Sequence, residues 1–424
     1  MTSSPKSSLT RSSQTKVPSQ IRRKGIETSL LLYAVSLPIS MSGTNVALGL
    51  LLFFTLWNVV AEKTPVQIPS SAGFLLLFFL WAAVTACIAE RRLDYATLGS
   101  FSKIWNLFPM TLIPLGAAQT PSTFRKILIV LFSAALIVAI LGIFEYYEES
   151  HTAIGRILPT DLVREGRFYG FQSHPLHSGG LYCLLSLSAF SMVLFDRSGN
   201  NLRIFWGACS LILALGLGIT FSRSYYLALA AGAAVLLAAK GPKFLIFGAL
   251  AGFIFVLGLA AIDQNFRHRI STISAAHMDE SARIRTKLWK AAVLMIKDNP
   301  WTGVGYHRWR DEILAYSKRI PNWSLDQAAY AHAHNSYLTL AAETGIPGLI
   351  FFLLFWISLI REQLLLLRKV LRDDTSYPLI QASLAALGAL LVAAFFEHNL
   401  MTATISLCLF FLLGLSRTHQ EGTS

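Results

Sequence analysis

Charge is what this chain most lacks: 14% of its 424 residues are Asp, Glu, Lys or Arg, against 54% that are hydrophobic. A set of soluble domains needs roughly a quarter of its residues charged, so that class is excluded. Cysteine is scarce as well. Cys87, Cys183, Cys209 and Cys408 all fall inside apolar runs, with no CxxC and no Cys/His metal spacing. They read as small buried hydrophobes, and no disulfide framework is implied. Acidic residues number 23 against 36 basic ones, for a net charge of +13. The excess sits in short clusters between apolar runs rather than along one soluble face, which argues against nucleic acid and for lipid and lipid-phosphate partners. Residues 1–25 are rich in Ser, Thr and Lys/Arg and lack the cleavage site of a secretory leader. They are expected to be a disordered cytoplasmic tail, with the first apolar run retained as an anchor.

What the chain has in abundance is long apolar segments, with a mean hydropathy of +0.53. Runs at about 26–42, 45–61, 72–89, 104–119, 126–147, 175–195, 204–221, 224–239, 244–262, 335–360, 377–396 and 399–416 are long enough, or nearly so, to cross a bilayer. The expected fold is an all-α polytopic integral membrane protein with about 12 transmembrane helices. Helices one to nine occupy 26–262, with an outer loop at about 148–174. A long loop over 263–334 follows, then helices ten to twelve over 335–416 and a short tail at 417–424. Placing both termini in the cytoplasm puts Lys63, Arg125, Lys126, Arg197, Arg203, Lys240, Lys243, Arg361, Arg368, Lys369, Arg372 and Arg417 in inner loops. The opposite short loops carry fewer cations, as the positive-inside rule requires. The 263–334 segment then lies outside.

Within that segment, Ile284, Leu288, Ala291, Ala292, Met295 and Ile296 recur at helical spacing, and Asn299-Pro300 stops the pattern. A helix is predicted from Asp279 to Asn299, with Asp279 or Ser281 as its cap. Arg285 and Trp289 share one face of it, beside Arg283 and Lys290. The turn Pro300-Trp-Thr-Gly-Val-Gly305 follows, its glycines permitting positive φ or a close backbone approach to membrane or substrate. It is no dinucleotide fingerprint, since the third glycine and the preceding strand are missing. Next comes Ala331-His-Ala-His-Asn-Ser-Tyr-Leu-Thr-Leu-Ala-Ala-Glu-Thr-Gly-Ile-Pro-Gly348, where ionisable groups accumulate as the chain re-enters an apolar helix. Such groups are costly at membrane depth, so this position is read as functional.

These segments resemble the superfamily of O-antigen ligases, O-antigen polymerases and protein O-oligosaccharyltransferases. The likeness rests on Arg285-x-x-x-Trp289, Asn299-Pro300 with Gly303-Val-Gly305, and His334-Asn-Ser-Tyr-Leu338 running into Glu343-Thr-Gly345. Thr220-Phe-Ser-Arg223 and Arg167-Phe-Tyr-Gly170 with Ser173-His-Pro-Leu-His177 add to it, so the motifs span about 164–348. The resemblance implies a C-type glycosyltransferase-like fold in a bacterial inner membrane. It also implies transfer of a glycan from undecaprenyl pyrophosphate on the periplasmic face. Among the family, the O-antigen ligase is favoured, with polymerised glycan joined to a lipid A-core sugar, because the chain is compact and ends just after its last helix. The polymerase is the nearest alternative. A flippase of lipid-linked sugar would also have many helices, but no inverted repeat is evident and the polar cluster lies on one outer face.

The chemistry of that transfer assigns expected roles. Negative charge develops on the departing pyrophosphate, and a guanidinium offers a fixed fork of donors that stays charged near lipid. Arg223, in a very short outer loop, and Arg285 are the candidates; interfacial snorkelling is the bland alternative. His334 is the expected general base, since an imidazole with an ordinary pKa of about 6.5 can take the acceptor's proton. A single displacement then gives inversion, and no carboxylate pair suits a double one. His332 is expected to point elsewhere if the helix has already begun, with His174, His177 and Glu397 as fallback bases. Glu343, about 13.5 Å along the helix from His334, is expected to pair with a buried polar group instead. Arg164, Arg167, His174, His177, Arg283, Trp289, His332, Asn335 and Tyr337 complete the candidate substrate-binding set. No metal or cofactor is expected: the first outer loop, around Ser42 to Asn45, has no carboxylate, and Glu90 and Asp94 sit among Arg91 and Arg92.

Overall fold

The computed structural model describes residues 10–63, 65–66, 68–90, 101–117, 121–147, 161–197, 199–264, 267, 280–323, 332–400 and 402–418. Fourteen α-helices are present among them. They are α1 Thr10–Ser36, α2 Met41–Glu62, α3 Ser70–Glu90, α4 Phe108–Ala117, α5 Pro121–Tyr147, α6 Pro175–Phe195 and α7 Asn200–Gly218. There follow α8 Arg223–Lys240, α9 Pro242–Ile262, α10 Glu280–Asp298, α11 Trp309–Ser317, α12 Ser336–Lys369, α13 Tyr377–Ala393 and α14 Ala403–Leu415. A two-residue hairpin, β1 Val163–Arg164 and β2 Arg167–Phe168, pairs antiparallel with Val163 opposite Phe168. Seven helices are long and apolar enough to span a membrane, and α13 and α14 are shorter apolar helices. The protein is an all-α polytopic membrane protein.

Each apolar run became a helix, and the departures have physical causes. Helix α1 begins at Thr10, inside the expected tail, because propagation adds a hydrogen bond per residue whatever the polarity of the side chain. The first outer connection ends at Ser40, not at Asn45, since the Ser40 hydroxyl accepts from Gly43 N (3.1 Å) and caps α2. The fourth run splits into a 3₁₀ turn, Ser102–Leu107, and the 10-residue α4, too short to span alone. The last two helices are separated by residues 394–402 rather than by three residues, which gives Glu397, His398 and Asn399 a loop of their own. Asp279, Arg91, Arg92, Asp94, Arg156 and residues 268–279 and 324–331 of the long loop lie outside the described residues.

The bundle centre is built from α6 and α13, rich in Ser and Ala, which let backbones approach where lipid supplies no hydrophobic drive between helices. Ser191 donates to Pro378 O (2.6 Å) and Ser186 to Ser210 O (2.9 Å), tying α6 to α13 and α7. Helix α9 is the opposite extreme: it packs on α8 and buries none of its residues.

Two ends of the bundle differ in chemistry. At one, Arg417 pairs with Glu362, Arg22 with Glu62, and Arg197 with Asp373. All six belong to loops or helix ends that the charge bias places on one side. The other end carries the hairpin, the start of α6 and α8, and a cap of α10 and α11. That cap has its own small core of Leu288, Ala291, Ala292, Met295, Trp309 and Ile313 with Ala333 and Ala342.

The cap docks by backbone. Val304 N donates to Ala342 O (2.8 Å), Gly305 N to Glu343 O (3.0 Å) and Ile346 N to Pro300 O (2.8 Å). The glycines of 300–305 thus approach α12, not membrane or substrate as expected. α12 is broken there: Gly345 has φ 69° and ψ −179°, and a Cβ on it would lie 2.2 Å from Trp301 O. A Cβ on Gly303, with φ +64°, would lie 2.5 Å from Ala342 O. Only glycine fits either position. Buried Glu343 accepts from Trp309 N (3.1 Å) at the start of α11, the buried polar partner expected for it, in a place where a helix N-terminus favours a carboxylate.

Candidate functional site

The site forms where α12 starts, before its first helical residue. Asn335 caps the helix by accepting from Leu338 N (2.9 Å), so residues 332–334 are still extended or bent. His332 and His334 therefore project together, ring centroids 4.5 Å apart, and not to different sides as a helix would send them. His334 has φ 49°, a left-handed conformation that a non-glycine residue keeps only when its surroundings impose it. The surroundings are explicit. Ala333 N donates to Thr339 Oγ1 (3.1 Å), Ala333 O accepts from Trp289 Nε1 (3.0 Å), Ser336 N donates to Ala394 O (2.8 Å) and Ser336 Oγ to Glu397 O (2.8 Å). The backbone around His334 is clamped from α10, α12 and the 394–402 loop at once.

Glu397 is the residue at the centre. Its Oε1 accepts from Arg285 Nη2 (2.9 Å) and from Ser224 Oγ (3.3 Å), and its Oε2 lies 3.6 Å from His334 Nδ1. Its side chain is 5% exposed. Burial alone would push this carboxyl up. The neighbouring His334 imidazole and the charge of Arg285 outweigh it and hold it below the usual carboxylate range. An ionised Glu397 facing Nδ1 favours the tautomer with the proton there, which puts the imidazole lone pair on Nε2.

The remaining rings complete a cavity of about 150 Å³ lined by His174, His177, Tyr225, His332, His334, Glu397, His398 and Asn399. His332 stacks on His398 at 5.0 Å, and His174 lies 5.8 Å from His177. His332 Nδ1 accepts from His334 N (3.2 Å) and His174 Nδ1 from Leu176 N (3.1 Å), so both rings carry their proton on Nε2 when neutral. Neutral is what they are: burial, then the neighbouring His334, pushes His332 down to about 4. Burial and then Arg167 lower His174, and burial lowers His398 well below the ordinary range. His398 Nδ1 and Asn399 Oδ1 are buried without a hydrogen-bond partner. Among the described residues, no three His, Cys, Asp or Glu groups are spaced to hold a metal ion.

The other expected site residues are only partly brought to this cavity. Arg223 opens α8 next to Ser224, and the turn before it is held by Arg167 Nε donating to Thr220 O (2.9 Å). Arg285 and Trp289 do share a face of α10 and reach Glu397 and Ala333 O respectively. Arg283 is exposed on another face. Arg164 donates to Gln172 O (2.7 Å) with its guanidinium 4.2 Å over the Tyr169 ring, on the hairpin rather than in the cavity. His177 approaches Ser173 Oγ at 3.3 Å. Tyr337 OH donates to Leu391 O (2.7 Å), so its hydroxyl is committed to α13. The sequence reading placed Glu397 only among fallback bases and passed over Ser224, Tyr225 and His398. The available signal was Glu-His-Asn between two apolar runs, three polar groups where a short turn would have needed none.

Beside this end runs an apolar groove of about 610 Å³ between α7, α8 and α9, lined by residues from Gly218, Tyr226 and Leu259 down to Leu237 and Leu245.

Part of the chain is similar to known proteins. Residues 208–353 match the family described as O-antigen ligase, a span that includes Arg223, Arg285, Trp289, His332 and His334. The exopolysaccharide production protein ExoQ of Rhizobium meliloti (strain 1021) is 29% identical over 148 residues, which are 34% of this chain and 33% of that protein. The match thus spans about a third of that relative's length. Over residues 208–353, which cover about a third of the chain and hold Arg223, Arg285, His332 and His334, the protein is similar to the O-antigen ligase family.

Proposed function

We propose that the protein is an O-antigen ligase, moving a polymerised glycan from undecaprenyl pyrophosphate to a lipid A-core sugar at the periplasmic face of a bacterial inner membrane. The observation that carries this reading is the Arg285–Glu397–His334 line, 2.9 Å and 3.6 Å between successive groups. Arg285 keeps Glu397 ionised, Glu397 holds the His334 Nδ1 proton, and Nε2 takes the proton of the attacking hydroxyl. The hydroxyl oxygen bonds to the anomeric carbon as the C1–O bond to pyrophosphate breaks from the opposite face, so the configuration inverts. Arg223 neutralises the departing pyrophosphate, with the Arg285 donors that Glu397 does not use. The groove between α7, α8 and α9 suits the polyprenyl tail, being apolar and facing lipid through α9. No metal is assigned a step.

The test is direct: purified protein, undecaprenyl-linked glycan and lipid A-core, with the joined product read by gel shift. Product formation that Arg223→Ala and Arg285→Ala each cut by about 10² supports the assignment, as loss of a transition-state donor does. Absence of product from folded protein, or activity abolished by EDTA and restored by Mg²⁺, overturns it. The orientation is tested by cysteines at Asp161 and Asp373, which should label from the periplasm and the cytoplasm respectively. A second reading, glycan-to-glycan joining as in a polymerase, is favoured by the likeness to an exopolysaccharide production protein. It predicts products lengthened without lipid A-core.

A further inference from the structure

A second polar cleft, of about 740 Å³, opens at the ends of α5 and α9 and shares no residue with the histidine cavity. Its floor is Asp263, 7% exposed, whose Oδ2 accepts from Tyr146 OH (2.9 Å) and stands 3.5 Å from Tyr147 OH. Tyr147 is 53% exposed at the rim. The opposite wall is the tip of the β1–β2 hairpin. Glu165 (φ 53°) and Gly166 (φ 66°) turn the chain there, and Arg164 is fixed by its contacts with Tyr169 and Gln172. Asp161 and Gln264 also line the cleft.

The lining selects a chemical class. Among the described lining residues an anion would meet Asp161, Glu165 and Asp263 against one cation, Arg164, the wrong balance of charge. An apolar ligand would take water from those carboxylates and return no hydrogen bond. A neutral polyhydroxyl chain fits both parts: the Tyr147 ring offers a flat face to the C–H side of a pyranose, while carboxylates accept from hydroxyls and Arg164 and Gln264 donate to them. We infer that this cleft binds neutral sugar residues of the lipid-linked donor, beyond the sugar whose bond is broken. The donor is favoured by continuity of the fold. Leu259 lines the apolar groove, and Ile262 and Asp263, one helical turn further along the chain, line the cleft. A lipid tail in the groove thus emerges where its glycan meets the hairpin. This inference rests on the glycosyl-transfer reading, and its test separates the two.

The soluble glycan released from the lipid-linked donor by mild acid is titrated against the full-length protein in detergent, with dissociation constants read by calorimetry. Saturable binding is expected for wild type and, unchanged, for His334→Ala. Tyr147→Ala and Glu165→Gln should each weaken it about tenfold, whereas Tyr147→Phe, which keeps the ring, should stay within about twofold of wild type. In turnover assays Tyr147→Ala should raise the donor KM by a similar factor and leave kcat within about twofold. Unaltered binding in Tyr147→Ala and Glu165→Gln of wild-type melting temperature overturns the inference. So does a raised acceptor KM with an unchanged donor KM. Glycan binding lost in these variants, in a protein that transfers nothing, keeps the cleft and removes the transferase reading.

Discussion

The two ends of the bundle use similar residues to opposite purpose. At the ion-paired end Glu62, Asp373 and Glu362 each have a cation: Arg417 and Glu362 are 11% and 14% exposed, and Glu362 also accepts from Ser70 Oγ (2.8 Å) and Ser71 N (2.7 Å). Glu362 thus finds its partners within the protein. At the histidine end one carboxylate serves Arg285, His334 and Ser224, four further imidazoles and Tyr225 crowd a small cavity, and polar atoms of His398 and Asn399 are buried without partners. A satisfied polar network fixes structure, whereas a partly satisfied one holds free energy that a substrate can realise. Charge count alone does not separate the ends; the way each carboxylate is partnered does.

The largest effect expected is at the second end. His334→Ala should lower kcat by 10² or more while leaving lipid-linked donor binding within a few-fold, because a general base acts in the transition state. Glu397→Gln should lower kcat less, as it keeps the shape and removes only the charge. Single-turnover kinetics with parallel binding assays distinguish them, and normal turnover by folded His334→Ala would move the base to another ring of the cavity.

Arg417→Ala inverts the comparison. It leaves Glu362 half-buried without its cation and should cost about 3 kcal/mol of stability, with turnover per folded molecule unchanged. Denaturation in detergent micelles measures the first and active-site-normalised rates the second. A loss of turnover without a loss of stability would mean that the ion-paired end takes part in catalysis.

A smaller effect is expected from pH. His332 titrates near 6.5 when unfolded and about 4 when folded. Between those values the unfolded chain binds a proton that the folded protein refuses, so stability falls as pH drops from about 6.5 to about 4 and is unaffected above. The slope from one such group is at most about 1.4 kcal/mol per pH unit. His332→Gln should flatten the dependence of melting temperature on pH across that window, and an unchanged slope would assign the acid sensitivity to His174 or His398 instead. The smallest effect belongs to Arg197→Ala, whose pair with Asp373 is 67% and 71% exposed. Its loss should change stability by less than about 1 kcal/mol, and by less still in high salt.

Apolar length and the 3.6-residue period determined much of this protein without any structure. The helical runs, the amphipathic α10 with Arg285 and Trp289 on one face, and the concentration of ionisable groups at 332–343 were all readable, because burial imposes its pattern locally along a helix. Helix breaks were less so. Gly345 ends a helix only because the cap's Trp301 carbonyl lies against it, and Ser40 rather than Asn45 opens α2 because its hydroxyl reaches Gly43 N. Tertiary structure alone decided the partners. Ser224, Arg285, His334 and Glu397 come from four separate segments, 173 residues apart at the widest hydrogen-bonded pair, and nothing in their local sequence records that they meet. Nor could sequence show that His332 and His334 point into one cavity: that depends on Asn335 capping the helix one residue after His334, and on a clamp formed by Trp289, Thr339 and the 394–402 loop. Hydrophobicity is a property each residue carries by itself, so the chain announces its helices. A hydrogen bond needs two groups at one place, and only the fold supplies the place.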